Sequence, residues 1–139
     1  MKIKIAVVGL NFGSCFARIY QKHPDVGEVG LCDSDQQRLK QVGDELKIAA
    51  RHTDLSEVLD GDRYDAVHIC TPFTTHASLC IRVMEAGKHC ATAVPMGVTL
   101  EELRAVVAAR KKSGVNYMMM ETGAYTNITV SRLPTTSGG

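Results

Sequence analysis

Short apolar runs alternate with stretches of helical periodicity along most of this 139-residue chain. An unbroken apolar run is typical of a strand buried on both faces, whereas apolar residues three and four positions apart are typical of one face of a helix. The pattern predicts strands near residues 3–8, 28–32, 48–51, 66–70, 89–93 and 115–120. It predicts helices over residues 14–22, 35–46, 76–86 and 100–113, with one short helix near residues 54–59.

Polar residues and glycines mark the ends of several of these helices. A hydroxyl residue followed three positions later by Glu or Gln has the spacing of a capping box, which satisfies the first N–H groups of a helix. The two pairs with this spacing are Ser34 with Gln37 and Thr99 with Glu102. Thr53 is predicted to cap the short helix. Gly87 and Gly114 are placed to end the helices over residues 76–86 and 100–113.

Strands that alternate with crossover helices predict an α/β fold with helices on both faces of a parallel sheet. Six strands make a doubly wound sheet with the expected order 3-2-1-4-5-6, which is a Rossmann fold in a single domain over residues 1–125. Residues 126–139 are rich in Thr, Ser and Gly and have no helical period. We expect them to be a flexible tail or the stub of a missing C-terminal domain.

A glycine-containing turn follows the first strand, and an acid follows the second. Gly9, Asn11 and Gly13 close the turn, which brings backbone N–H groups and the positive end of a helix dipole to one point that suits a diphosphate. Asp33 comes close to the offset of about 20 residues at which a carboxylate accepts hydrogen bonds from an adenosine ribose. Turn and acid together predict a dinucleotide site; a tight turn without a ligand is the alternative for the turn alone.

The glycine pattern departs from the usual GxGxxG spacing of dinucleotide-binding turns. Without a gap, the template places Gly9, Asn11 and Ser14 at its three positions, so only the first is glycine. A loop one residue shorter makes Gly13 the last glycine, where the missing side chain lets helix and strand approach closely. We prefer the shorter loop, because Asn11 tolerates left-handed backbone angles and can replace the middle glycine.

Composition argues against several other functions. The chain carries 16 basic and 15 acidic residues, interspersed, and only four Tyr and three Phe with no Trp, which gives nucleic-acid binding little support. No segment is long enough to span a bilayer, and no secretory signal is recognisable. Five cysteines without a CxxC pair predict reduced, buried thiols, no metal site and a cytoplasmic protein. Residues 118–120, a run of three methionines, are expected to fill the core.

The sequences GLNFG at 9–13, TPFTTHASLCIRVMEAGKH at 71–89 and VPM at 94–96, together with Asp33, identify a family resemblance. The chain resembles the dinucleotide-binding half of the glucose-fructose oxidoreductase and inositol dehydrogenase family (Gfo/Idh/MocA) over about residues 2–125. The resemblance implies that the first βα loop holds the diphosphate, the acid holds the adenosine ribose, and the Thr-Pro loop lies along the nicotinamide side of the cofactor.

The turn and the resemblance together give a set of predicted cofactor-binding residues and no catalytic residue. The set is Gly9, Asn11, Phe12, Gly13, Asp33, Ser34, Thr71, Pro72, His76, Val94 and Pro95. For His76 the alternative to a cofactor-side contact is local helix capping. His68, inside the fourth strand, is expected to be a packed and hydrogen-bonded core residue.

Two departures from the family pattern limit what the resemblance implies. Family members usually read Glu-Lys-Pro after the fifth strand, whereas this chain reads Ala93-Val94-Pro95, and valine can neither donate a hydrogen bond nor stabilise an alkoxide. The family's substrate pocket comes from a second α+β domain that follows about residue 121. We therefore expect a small-molecule substrate to bind only with that domain, and an oligomer is possible.

The expected cofactor is NAD rather than NADP. A carboxylate at Asp33 accepts from a free 2′-hydroxyl and repels a phosphate, and Ser34 stands where an arginine commonly accommodates the 2′-phosphate. Arg38 can reach such a phosphate, although an exposed charged face is its default interpretation. The expected function is hydride transfer between nicotinamide and a sugar-like or polyol-like hydroxy compound. The alternatives are a non-catalytic NAD(H)-binding regulatory module and a truncated, inactive fragment.

Overall fold

The computed structural model of the protein describes residues 1–122. Its centre is a six-stranded parallel sheet in the order β3-β2-β1-β4-β5-β6, which confirms the predicted Rossmann topology. The strands are β1 (Ile3–Val8), β2 (Val26–Cys32), β3 (Arg51–His52), β4 (Ala66–Ile69), β5 (His89–Ala93) and β6 (Tyr117–Met120). The order reverses between β1 and β4, so the carboxyl ends of these two strands border a crevice.

Five α-helices connect the strands and form two layers. They are α1 (Leu10–Lys22), α2 (Gln36–Leu46), α3 (Leu55–Leu59), α4 (His76–Glu85) and α5 (Leu100–Ser113), with a 3₁₀ turn at Phe73–Thr75 before α4. Helices α1 and α2 pack on one face of β1 and β2, around Val7 and Leu31. Helices α3, α4 and α5 pack on the other face, around Val67 and Ile69. The buried strand residues are therefore mostly apolar on both faces, as the unbroken apolar runs predicted; His68 and Thr92 are polar.

Helix α1 begins four residues earlier than predicted. Gly9 has a φ of +88° and completes the turn out of β1 by itself, and the N–H of Gly13 already donates to the carbonyl of Gly9 at 3.1 Å. The prediction that the helix begins at residue 14 was wrong, because it treated the glycine-containing segment as a loop. This segment is the first turn of α1, so its backbone N–H groups point out of the helix end.

The caps were predicted correctly for α5 and one residue too early for two other helices. The Thr99–Glu102 capping box is present, and Gly114 ends α5 in the left-handed conformation. The N-cap of α2 is Asp35 rather than Ser34, and that of α3 is Asp54 rather than Thr53. In both helices the cap is the carboxylate one residue after the predicted cap. It accepts hydrogen bonds from the first N–H groups of the helix, and its charge complements the helix dipole.

Three further expectations need correction. Strand β3 is the pair Arg51–His52 rather than residues 48–51, because Ile48 is buried beneath α2 instead of pairing in the sheet. Met118 and Met119 are 62% and 42% exposed, so the methionine run does not fill the core as expected. Cys15 is exposed on α1, whereas the other four thiols are buried as predicted.

Within residues 1–122 no helix has the length and apolarity needed to cross a bilayer. The predicted tail at 126–139 lies outside the described residues.

Candidate functional site

A cleft of about 590 Å³ opens at the carboxyl edge of the sheet, where the strand order reverses. Segments that follow β1, β2, β3 and β4 all contribute to it, as a crevice at a topological switch point requires. Of the predicted site residues, the cleft is lined by Gly9, Asn11, Phe12, Asp33, Ser34, Thr71 and Pro72. Gly13, His76, Val94 and Pro95 do not line it.

Gly9 occupies a position that no other residue fits. Its φ of +88° is a conformation that side chains disfavour, and an added Cβ would lie 2.7 Å from the carbonyl carbon of Cys70 and from the amide nitrogen of Thr71. These neighbours are backbone atoms at the end of β4, which cannot move aside. The glycine therefore lets the connections after β1 and β4 pass each other in close contact.

Gly13 performs the packing role that the shorter-loop interpretation gives to the last glycine. A Cβ at this position would lie 2.7 Å from Cγ1 of Val7 and 3.2 Å from Cβ of Cys70. The absence of a side chain thus lets the first turn of α1 lie directly on β1 and β4. This close approach brings the helix N-terminus to the cleft.

The N-terminus of α1 presents backbone donors to the cleft. The N–H groups of Asn11 and Phe12 have no acceptor within the helix, since they precede the first i to i−4 bond, made by Gly13. No acidic residue lies in the first turn. Both side chains are exposed, with the Phe12 ring edge-on to that of Phe16. Two free N–H groups at the positive end of a helix of 13 residues form a site suited to an anion.

Asp33, at the end of β2, is held beside this helix end. Its Oδ2 accepts from the N–H of Leu10 at 2.8 Å and its Oδ1 accepts from the N–H of Asp35 at 2.9 Å. The carboxylate is only 7% exposed, and its open side faces the cleft. A carboxylate has about four acceptor positions, so the two backbone bonds leave capacity for a ligand hydroxyl.

Arg38 is the cation closest to that carboxylate. Its guanidinium lies 3.5 Å from Asp33 and 3.4 Å from Asp35, and it lines the cleft while remaining partly exposed. Ser34 also lines the cleft, but it does not cap α2 as predicted. The acidic groups at this end of the cleft therefore come from the connection between β2 and α2, and the basic group comes from the first turn of α2.

The loop after β4 forms the opposite wall. Thr71 and Pro72 line the cleft, and the Thr71 hydroxyl shares a 2.7 Å hydrogen bond with the hydroxyl of Thr75. His76 begins α4 behind this loop and is buried, with both ring nitrogens next to backbone carbonyls. It does not cap α4, and direct contact between its ring and a cofactor stays a prediction. Val94, more than a third exposed, and Pro95 follow β5 outside the cleft.

The cleft also contains residues that sequence reasoning missed. They are Thr53, Asp54 and Leu55 after β3, and Leu79 and Arg82 on α4. A sequence signal existed for the first group, because the carboxyl ends of all parallel strands meet at one edge of the sheet, and β3 was among the predicted strands. The two α4 residues have no comparable signal, because their position depends on how the helix packs.

Two thiols next to the cleft, Cys32 and Cys70, are not reactive groups. Burial raises the pKa of each to about 12, and for Cys32 the nearby carboxylates of Asp54, Glu57 and Asp33 add to the effect. Both thiols are therefore protonated at neutral pH, whereas nucleophiles and metal ligands are thiolates. Among residues 1–122, no group of three or more His, Cys, Asp or Glu side chains is arranged to hold a metal ion.

Comparison with known sequences agrees with this geometry. The sequence model of GFO_IDH_MocA, an oxidoreductase family with an NAD-binding Rossmann fold, matches residues 3–121. D-apiose dehydrogenase of Paraburkholderia graminis is 34% identical over 121 residues, which cover 86% of this chain and 32% of that enzyme. A glycosyl hydrolase family 109 protein of Shewanella baltica is 36% identical over 104 residues, which cover 68% of this chain and 23% of that protein. The chain thus spans a third or less of these relatives.

Solved structures share the fold. An Agrobacterium radiobacter oxidoreductase in complex with NAD+, L-tartaric acid and magnesium has a TM-score of 0.82 at 23% identity, over 89% of this chain and 36% of that chain. The myo-inositol 2-dehydrogenase of Lactobacillus plantarum has a TM-score of 0.82 at 22% identity, over 91% of this chain and 38% of that chain. Given the family match over residues 3–121, the chain belongs to the Gfo/Idh/MocA oxidoreductase family, of which it forms the NAD-binding Rossmann domain.

Proposed function

We propose that this chain binds NAD(H) in the cleft at the strand-order reversal and presents the nicotinamide to a carbohydrate-like hydroxy compound. The observation that carries the proposal is the 2.8 Å hydrogen bond from the Leu10 N–H to Asp33 Oδ2, which joins an anion-binding helix end to a hydroxyl-binding carboxylate. A dinucleotide has a diphosphate and a ribose at this spacing, and the Rossmann fold uses both features to bind it.

Each part of the cleft has a role in this proposal. The N–H groups of Asn11 and Phe12 bind the diphosphate, and Gly9 brings this helix end close to the backbone after β4. Asp33 accepts from the adenosine ribose hydroxyls. Leu79, which lines the same cleft, provides apolar surface for the adenine ring. The cofactor supplies hydride transfer when bound, and the protein's share is binding and orientation.

NAD is the proposed cofactor form. The Asp33 carboxylate repels a 2′-phosphate, and Arg38 is already engaged by Asp33 and Asp35 at 3.5 and 3.4 Å. With the carboxylates intact, the guanidinium balances their charge instead of attracting a phosphate. The pair therefore favours a free 2′-hydroxyl.

The substrate proposal rests on the relatives, since this chain spans only part of their length. D-apiose dehydrogenase and myo-inositol 2-dehydrogenase act on a sugar and a polyol by their names, which favours a hydroxy compound of that class. A second candidate is cleavage of a glycoside, which the family 109 glycosyl hydrolase relative favours. Both candidates share a carbohydrate substrate. Neither relative supports the regulatory-module alternative.

Fluorescence titration with NADH and NADPH tests the proposal. We predict that Asp33→Asn lowers NADH affinity about tenfold, because the amide is a weaker ribose acceptor than a charged carboxylate. It should raise NADPH affinity, because Arg38 then faces the phosphate without a competing charge at position 33. Asp62→Ala, at an exposed acid remote from the cleft, is the control and should change neither value. Unchanged NADH affinity in Asp33→Asn would refute the assigned role of Asp33.

A further inference from the structure

His76 is a buried polar residue behind the cleft wall that the proposed function leaves unused. It is 1% exposed at the first position of α4. Its Nδ1 lies 2.7 Å from the carbonyl oxygen of Pro95, and its Nε2 lies 2.8 Å from the carbonyl oxygen of Thr71. The ring therefore spans two backbone segments that are 24 positions apart in the sequence.

The hydrogen-bonding chemistry of the imidazole suits it to join two backbone carbonyls. Carbonyl oxygens only accept hydrogen bonds, so each ring nitrogen must donate for both bonds to form. The neutral ring donates to one of the two carbonyls, and the protonated ring donates to both. The imidazole holds its two nitrogens at a fixed spacing on one rigid ring, so a flexible linear amide does not fix the distance between the two carbonyls in the same way.

The bridged segments follow neighbouring strands. Thr71 lies just beyond β4 and Pro95 just beyond β5, and these strands pair directly in the sheet. Both belong to the half of the sheet on the other side of the order reversal from Asp33. In a doubly wound fold each half receives one mononucleotide, so this half receives the nicotinamide end when the adenosine end lies at β2.

We propose that His76 is a positioning residue that fixes the Thr71 and Pro95 segments relative to each other and thereby sets affinity for the nicotinamide riboside half of the cofactor. The inference rests on the proposed function. His76 acts through the two backbone segments that it holds, since its ring is buried behind them. Binding of the adenosine diphosphate half, which depends on Asp33 and the α1 N-terminus, is independent of it.

Calorimetric titration with NADH and with ADP separates the two halves, because ADP lacks both the second ribose and the nicotinamide. We expect His76→Gln to weaken NADH binding about tenfold, because a flexible amide no longer fixes the spacing of the two segments, and to change ADP binding less than about twofold. His76→Phe, which keeps a ring and removes both nitrogens, should weaken NADH binding further. His23→Gln, at an exposed histidine next to the end of α1, should leave both affinities unchanged.

The outcomes separate this inference from the proposed function. If wild-type protein binds neither NADH nor ADP, the proposed function fails. If it binds both and His76→Gln leaves the ratio of the two affinities unchanged, the positioning role fails and the proposed function stands. Circular dichroism of each variant reports folding; if both His76 variants lose their folded structure, His76 is a fold-determining core residue and the positioning role is likewise overturned.

Discussion

At the scale of single residues, burial together with hydrogen-bond partners decides which ionisable groups near the sheet take part in chemistry. Asp33 is nearly buried yet keeps two backbone donors and an open side toward the cleft, so it can remain a hydrogen-bond acceptor there. Cys32 and Cys70 lie beside it, but their raised pKa keeps them as neutral thiols. Residue type alone does not distinguish these cases; the partners of each group do.

His68 provides a test of this effect of burial on stability. It has no exposed surface, its Nδ1 lies 2.9 Å from the Tyr20 hydroxyl, and among the described residues its Nε2 has no partner. Burial lowers the pKa of His68 from 6.5 to about 4. Between these values the unfolded chain binds the proton and the folded protein does not, so the free energy of unfolding falls as pH is lowered from 6.5 to 4.

We predict that His68→Gln removes this contribution, which is on the order of 3 kcal/mol at pH 4. Gln keeps a partner for Tyr20 and does not titrate. The measurement is urea unfolding at pH 7 and at pH 4, and the variant should lose less stability over this interval than wild type. His23→Gln is the matched control and should follow wild type. Equal pH dependence in wild type and His68→Gln would contradict the prediction.

At the scale of elements, the first turn of α1 connects packing to the site. Gly13 lies where a methyl group would meet Val7 and Cys70 at 2.7 and 3.2 Å. We predict that Gly13→Ala destabilises the protein by about 1 to 2 kcal/mol, since overpacking outweighs the gain in helix propensity. It should also weaken NADH binding, because the helix end moves away from β1. Thermal unfolding and NADH titration measure the two effects.

Two further variants distinguish crowding from a general loss of stability. Cys15→Ala, an exposed change in the same helix, should leave both stability and NADH affinity near wild type. Adding Val7→Ala to Gly13→Ala removes the crowded methyl group, so the double variant should recover part of the NADH affinity despite the cavity. A double-mutant cycle with no coupling between the two sites would show that contact with Val7 is not the cause.

Elements were predicted well where local chemistry decides them. Thr99 and Glu102 form their capping box in the structure because both halves of the motif are local, and Gly114 ends the helix for the same reason. The caps at Asp35 and Asp54 were missed because a serine or threonine one residue earlier also satisfies the pattern. Which of the two neighbouring residues caps the helix depends on the direction in which the loop leaves the preceding strand. Tertiary packing sets that direction.

At the scale of the whole molecule, topology made the position of the cleft predictable. The strand order follows from the alternation of strands and helices, and the order fixes the crevice beside β1 and β4. The participation of Leu79 and Arg82 was not predictable, because it depends on the placement of α4 against the sheet. The same limit applies to Met118 and Met119, whose strand lies at the edge of the sheet and leaves them exposed.

A cleft built from four connections should couple ligand binding to the stability of the whole sheet. NADH bound in this cleft as proposed would contact segments from both halves of the sheet, so unfolding of either half would release it. At about one hundred times its Kd, NADH should add about 2.7 kcal/mol to the free energy of unfolding and raise the urea midpoint by about 1 to 2 M. Circular dichroism with and without NADH measures the shift.

Two variants test how the added stability depends on NADH affinity. At the same NADH concentration, Asp33→Asn should show a smaller shift that matches its measured Kd, whereas Asp62→Ala should shift as wild type does. A midpoint that does not move, in a protein that binds NADH by titration, would mean that the ligand contacts only a segment that opens independently of the sheet. In that case the cleft between β1 and β4 would not be the binding site, because there Gly9 lies directly against the backbone of Cys70 and Thr71, and a ligand held between these segments contacts both halves of the sheet.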